Sequence, residues 1–121
     1  MYTKENIDIA QLAGDFERCR KILLALGDEN RQHMMLEMMK MGKCSGVRVN
    51  EITEKTHLSR PAVSHHLQIL KDAGILKMRR EATRNYYYFD PDMKSFELLI
   101  DVLQKSIHIT SQLPDRSGEI E

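Results

Sequence analysis

Tryptophan is absent from this 121-residue chain, and aromatic residues of every kind make up only 6% of it. The core must therefore be built from aliphatic and thioether side chains, within a length that suits one modest domain. Cysteine is scarce too. Cys19 and Cys44 alone cannot make a disulfide-rich secreted scaffold, and a reducing cytoplasm is the expected compartment. The first ten residues carry Lys4, Glu5 and Asp8 where a signal peptide needs an apolar core, so no leader is expected. Long apolar runs are missing as well. The longest near the start is Ile22 to Leu26, far short of the ~20 residues that cross a bilayer, and no membrane partner is expected. There is no glycine-rich phosphate loop, nucleophile elbow or recognisable pair of acids, and the chain is too short to enclose a substrate. No catalytic residue and no cofactor is expected.

An excess of charge of one sign is also lacking, because 18 Lys and Arg balance 18 Asp and Glu. The balance conceals a gradient. From Lys55 to Arg84 there are seven cations (Lys55, Arg60, Lys71, Lys77, Arg79, Arg80, Arg84) against Asp72 and Glu81, so this segment carries +5 and the remainder −5. A basic middle is compatible with a polyanionic partner but also with an ordinary solvated face, and the arrangement of residues has to decide.

Hydrophobic residues at 41% and charged residues at 30% describe a soluble globular chain. Ile9, Leu12, Phe16, Cys19, Ile22, Leu23 and Leu26 recur at threes and fours, which predicts an amphipathic helix from about 7 to 26, ended by Gly27. Asp28 is placed to cap a second helix running to about Met41. In it Met34, Met35, Leu36, Met38 and Met39 supply pliable core volume. "GKCSG", residues 42–46, reads as a loop, and Asn50 as the cap of a brief third helix over 51–56.

Ser59 has the position of an N-cap, and Pro61 suits the first turn of the helix that follows, because no backbone donor is lost there. Gly74 closes that helix. Val63, Leu67 and Leu70 form one stripe at i, i+4, i+7, and 100° per residue puts Ser64, His65 and Gln68 on the opposite face, with His66 beside the stripe. A short helix, a tight connection around His57-Leu58 and a second helix with a hydrogen-bonding outer face make a helix-turn-helix. Residues 75–80 and 85–89, rich in β-formers and separated by "EATR", predict a hairpin whose tip and flanks hold Arg79, Arg80 and Arg84. The fold class is thus mainly α with a small two-stranded hairpin, a winged helix. Asp90 is placed to cap a last helix with Pro91 at its first position, and Phe96, Leu99, Ile100, Leu103 and Ile107 line one face of it. One domain over 1–113 and a frayed polar tail over 114–121 complete the expected organisation.

Over roughly residues 18 to 110 the chain resembles the small winged-helix repressors of the arsenic-repressor (ArsR/SmtB) type. "LGDENRQHMMLEMM" from Leu26 is similar to that family's second-helix entry, "LSRPAVSHHLQILKDAGIL" to its recognition segment and "KMRREATRNYYYF" to its wing. The resemblance implies five helices and a wing, a homodimer built from the first and last helices, and repression of genes until an inducer releases the protein from operator DNA. Two departures stand out. The family's pattern often has Ser or Thr where Pro61 stands, and its wing turn usually contains Gly, whereas "EATRN" has none.

The residues themselves also argue for self-association, because both terminal helices carry apolar stripes that the small middle of the chain cannot cover. Leu12, Phe16, Cys19, Leu23, Phe96, Leu99, Ile100, Leu103 and Ile107 are the expected dimer residues. A two-fold dimer sets its recognition helices about 34 Å apart, one turn of duplex, so the expected operator is an inverted repeat in double-stranded DNA. Ser64, His65 and Gln68 face base edges and phosphates in the major groove with Arg60 near the backbone, Pro61 and Lys71 belong to the same DNA-binding surface, and Arg79, Arg80 and Arg84 bind phosphate or enter the minor groove.

No metal ligand is assigned. His65 and His66 diverge by about 100° on a helix and cannot hold one ion. The resembled metal sensors use Cys-x-Cys in the third helix or an acid-x-His with a later His pair in the last helix. Here those places read Val49-Asn50-Glu51-Ile52 and Asp92, Asp101 and a lone His108. Cys19, on the apolar stripe, reads as a buried structural thiol, and Cys44, exposed beside Lys43, as a candidate redox or soft-metal sensor. His33 and His57 read as solvent-facing or capping residues. The inducer stays unassigned. A protein-interaction module without DNA binding is the alternative, against which the basic wing and polar helix face argue.

Overall fold

The computed structural model describes residues 9–114. Along the chain run α1 (Ile9–Arg18), α2 (Arg20–Leu26), α3 (Glu29–Met41), α4 (Val49–Thr56), α5 (Arg60–Asp72), β1 (Leu76–Glu81), β2 (Arg84–Phe89) and α6 (Lys94–Thr110). The fold is the expected winged helix-turn-helix, with six helices rather than five among the described residues. The first amphipathic stretch is broken at Cys19, whose amide is shared between the carbonyls of Asp15 (3.2 Å) and Phe16 (3.0 Å), a local tightening of the backbone that separates α1 from α2. The expected start at Ile7 and most of the expected tail lie outside the described residues. Among the described residues no helix is long and apolar enough to cross a membrane.

One core joins the helices to the foot of the wing: Ile22 and Ala25 of α2, Met34 and Met38 of α3, Ile52, Val63, Leu67, Leu70, Ile75, Leu76 and Val102 are all buried. On α5 the stripe Val63, Leu67, Leu70 is fully covered, as its spacing predicts. The methionine-rich helix is only half as predicted. Met34, Met35 and Met38 face the core, while Leu36 falls on the opposite side of the helix and Met39 at the edge of the buried face, and both are exposed.

Three helix starts show how caps are decided. Ser59 Oγ accepts from Ala62 N at 3.2 Å, so α5 begins as expected, with Pro61 in its first turn. Asn50 does not cap α4. That helix starts two residues earlier, at Val49 with Arg48 as its cap; the Arg48 backbone N–H donates to Glu51 Oε1 at 2.9 Å, leaving the Asn50 side chain free to accept from the Arg60 guanidinium. Asp90 does not cap α6 either. Its carboxylate accepts from Asp92 N at 2.9 Å, a local turn that competes with helix, and α6 begins only at Lys94 after Met93 takes a left-handed φ of 53°.

β1 and β2 pair antiparallel from Leu76↔Phe89 to Glu81↔Arg84, and β2 pairs on its other edge with Val47 alone. With no glycine in the wing turn, Ala82 itself adopts φ of 56°. Between α1 and α6 the buried Asp15 carboxylate accepts from Lys105 Nζ at 2.6 Å, and Lys105 also meets Asp101 at 3.1 Å. The hydrogen bond from Lys105 holds the Asp15 carboxyl below the usual carboxylate range despite its burial, and the same bond raises Lys105.

Cys19 is fully buried in the chain's own core, where burial pushes its thiol pKa up, so it does not reach the expected dimer face. On that face Phe16, Leu23, Ile100, Leu103 and Ile107 are exposed, and Leu12, Phe96 and Leu99 are half-buried against the core.

Candidate nucleic-acid interface

The α4 to α5 connection is a three-residue turn stabilised from both sides. His57 caps α4 in the left-handed conformation, φ 62°, donating to Thr53 O at 2.9 Å. The buried Thr56 hydroxyl donates to Ile52 O at 2.7 Å and accepts from Leu58 N at 3.3 Å. The turn fixes how α5 crosses α4, and α5 then shows solvent one polar edge: Arg60, Pro61, Ser64, His65 and Gln68 are exposed and Lys71 is half-buried. Gln68 Nε2 donates to Asp72 Oδ1 at 2.9 Å, a pair on the helix surface that holds the amide outward.

His66 serves the protein's interior. Arg31 Nη1 lies 3.3 Å from its Nδ1, while Arg31 Nε and Nη2 donate to Ala25 O and Leu24 O at 2.8 and 2.9 Å, so one guanidinium ties the end of α2 to the middle of α5. Burial holds the His66 pKa below its ordinary value, more than the nearby Asp28 raises it. Among the described residues no three His, Cys, Asp or Glu side chains are placed to hold a metal ion.

The wing arginines divide. Arg84 is exposed at the hairpin tip and lines a small cleft of about 130 Å³ with Arg48, Asn50, Arg60, Thr83 and Asn85. Three arginines, from the start of α4, the start of α5 and the wing, thus line one cleft. Arg80 is exposed, its Nε donating to Ala82 O at 3.2 Å. Arg79 is partly exposed but engaged: it donates to Ser45 O at 2.7 Å and Glu81 Oε2 at 3.0 Å, and its guanidinium lies 5.0 Å from the Tyr86 ring centroid. It braces the wing, so the structure separates it from the free cations with which its sequence position groups it. Arg48 went unnoticed in the sequence because it lies upstream of the basic stretch. Its signal was a cation just ahead of the first helix of the helix-turn-helix.

A helix-turn-helix whose second helix shows an uncovered hydrogen-bonding edge, flanked by an arginine-lined cleft and a β-hairpin, defines a winged-helix DNA-binding protein. The comparisons narrow the class. Residues 28–77 match the family described as "Bacterial regulatory protein, arsR family". The uncharacterized HTH-type transcriptional regulator MJ1325 of Methanocaldococcus jannaschii is 36% identical over 89 residues, 73% of this chain and 97% of its own. The transcriptional repressor SdpR of Bacillus subtilis is 32% identical over 66 residues, 54% of this chain and 69% of its own. The homodimeric winged helix-turn-helix DNA-binding domain of Mb0332 from Mycobacterium bovis, solved by NMR, superposes with a TM-score of 0.54 at 21% identity, covering 92% of this chain and 98% of that one. The chain belongs to the arsR family of bacterial regulatory proteins and is a DNA-binding transcriptional regulator.

Proposed function

We propose that the protein is a homodimeric repressor that reads an inverted-repeat operator in the cytoplasm and leaves it when an inducer binds. The observation that carries the reading is the exposed edge of α5, Ser64, His65 and Gln68, next to the cleft that Arg48, Arg60 and Arg84 line. In this reading the α5 edge enters the major groove, with Pro61 packing and Lys71 reaching phosphate at its flanks. Arg48 and Arg60 grip the backbone at the mouth of the groove, and Arg80 and Arg84 follow it into the minor groove. Arg79 supports them by bracing the hairpin.

The dimer forms through the uncovered side chains of α1, α2 and α6, Phe16, Leu23, Ile100, Leu103 and Ile107, which in a monomer would face water. Two α5 helices then stand about 34 Å apart. The homodimeric state of Mb0332 and the repressor role of SdpR support this arrangement.

The test is fluorescence anisotropy on DNA from upstream of the protein's own gene across a salt series, with sedimentation of the protein alone. Specific binding that weakens steeply with salt, by a dimer, is expected. No binding at low salt would replace this reading with an interaction module, and a monomer at micromolar concentration would remove the paired-helix geometry.

A further inference from the structure

Between the last turn of α3 and the foot of the wing lies a recess of about 500 Å³, on a part of the chain that the DNA-facing edge does not use. Met38 and Met39 of α3, Cys44 of the following loop, Tyr88 and Phe89 of β2 and Pro91 form its walls. The volume falls in the range of roughly 300–1,000 Å³ typical of small-molecule sites. The α1, α2 and α6 faces proposed for self-association contribute nothing to the lining, so that dimer leaves the recess open.

The lining chemistry selects the occupant. Thioether, thiol, aromatic and proline surfaces dominate, and among the described residues no carboxylate lines the recess. The one ammonium that the described residues bring to it, that of Lys43, is already engaged by the Glu51 carboxylate. A charged ligand would find no free counter-charge there, whereas an uncharged, flat, polarizable molecule finds rings and sulfur on several sides.

The loop over the recess is fastened to the wing. It leaves α3 at Gly42, φ 63°, and returns at Gly46, φ 106°, where a Cβ would come within 3.1 Å of both Tyr86 Cβ and Tyr87 O. Only a glycine lets the loop press so closely on β2. Val47 and Tyr87 then exchange two backbone hydrogen bonds of 2.8 Å, and Arg79 reaches across to Ser45 O. The next residue is Arg48 at the start of α4. Any molecule that lifts the loop therefore carries β2 and the arginine cleft with it.

We propose that this recess is an effector site for an uncharged, mainly aromatic small molecule, and that its occupancy displaces the 42–46 loop and with it the wing, weakening operator binding. The second half rests on the DNA-binding reading above. Cys44 is the exposed thiol at the mouth and Cys19 is buried, so Cys44 alone reacts with an aqueous disulfide reagent in the native chain.

The experiment uses the full chain and N-phenyl-1-naphthylamine, an uncharged fluorescent probe, with its sulfonated relative 8-anilinonaphthalene-1-sulfonate for comparison. Reaction of Cys44 with 5,5′-dithiobis(2-nitrobenzoate) reports occupancy, and the two thiols titrated in denaturant give the end point. The uncharged probe should bind once per chain. At ten times its dissociation constant it should slow the Cys44 reaction about ten-fold. Met39→Lys, at an exposed position that leaves the fold intact by circular dichroism, should weaken the probe about ten-fold or more. An unchanged Cys44 rate with probe bound, or tighter binding of the sulfonated probe, would overturn the site or its ligand class respectively. If Cys44 is protected while operator affinity does not move, the coupling to the wing is wrong. If the chain binds no operator DNA in any state, the DNA-binding reading fails, and Cys44 protection still decides the site.

Discussion

Arg84→Gln tests the arginine cleft quantitatively. Arg48, Arg60 and Arg84 line it together, so a dimer presents six such guanidinium groups. If each neutralises one phosphate, these groups alone give log affinity against log salt a slope of about −5, at about −0.9 per contact. Arg84→Gln removes two of the six and should flatten the slope by about 1.8. Between about 50 and 200 mM salt, the variant should then lose about 12-fold less affinity than the parent. Arg79→Gln is the internal control, because that guanidinium is held by Ser45, Glu81 and the Tyr86 ring. It should lower the unfolding midpoint and leave the slope alone. The assay is anisotropy titration of one operator fragment at four or more salt concentrations. Equal flattening by both variants, or none from Arg84→Gln, refutes the division of the wing arginines drawn from the coordinates.

Asp15 has a folded pKa held below its unfolded value by Lys105, so its contribution to stability is present above about pH 3.9 and is lost as pH falls through the folded pKa. Asp15→Asn should therefore be less stable than the parent at neutral pH in urea melts, with the gap closing in acid; a gap that persists at low pH would contradict the ion pair. Leu103→Glu places a carboxylate in each half of the proposed dimer face and should cost about 2 kcal/mol per copy, or about 10³-fold in dimer dissociation constant. Sedimentation reads this, and an unchanged constant would move the interface elsewhere. Ala82→Gly relieves a left-handed alanine at the wing tip and should stabilise the fold by about 1 kcal/mol in thermal melts, and a loss of stability would argue for a different turn.

Much of the architecture was legible because period and punctuation agreed. Val63, Leu67 and Leu70 announce the buried side of α5 and Ser59 its start, and both are found so. Ser64, His65 and Gln68 were readable as outward by the same arithmetic. Caps on other helices were less legible, since Asn50 and Asp90 have the right side chains but other partners compete for them: the Arg60 guanidinium for one and the Asp92 amide for the other. The break at Cys19 carries no glycine or proline to announce it. Arg79 could not be told from Arg80 and Arg84 by sequence, because its role depends on Ser45, which lies 34 residues earlier and is brought to the wing by the close approach of Gly46 and the Val47 bridge. The recess at the wing's foot is likewise made by segments far apart in the chain.

The ammonium of Lys105, sandwiched between Asp15 and Asp101 at the seam of α1 and α6, has a consequence for how the two helices align. An oily seam tolerates sliding, since one aliphatic neighbour serves nearly as well as the next. A sequestered ion does not. Moving α6 by a single turn along α1 would part Lys105 from the buried Asp15, while Asp101 on its own helix travels with it, at a cost of a few kcal/mol. The pair works as a key cut into otherwise greasy helices, fixing one alignment of α1 against α6 within the chain and so the shape of the apolar face the two helices present together.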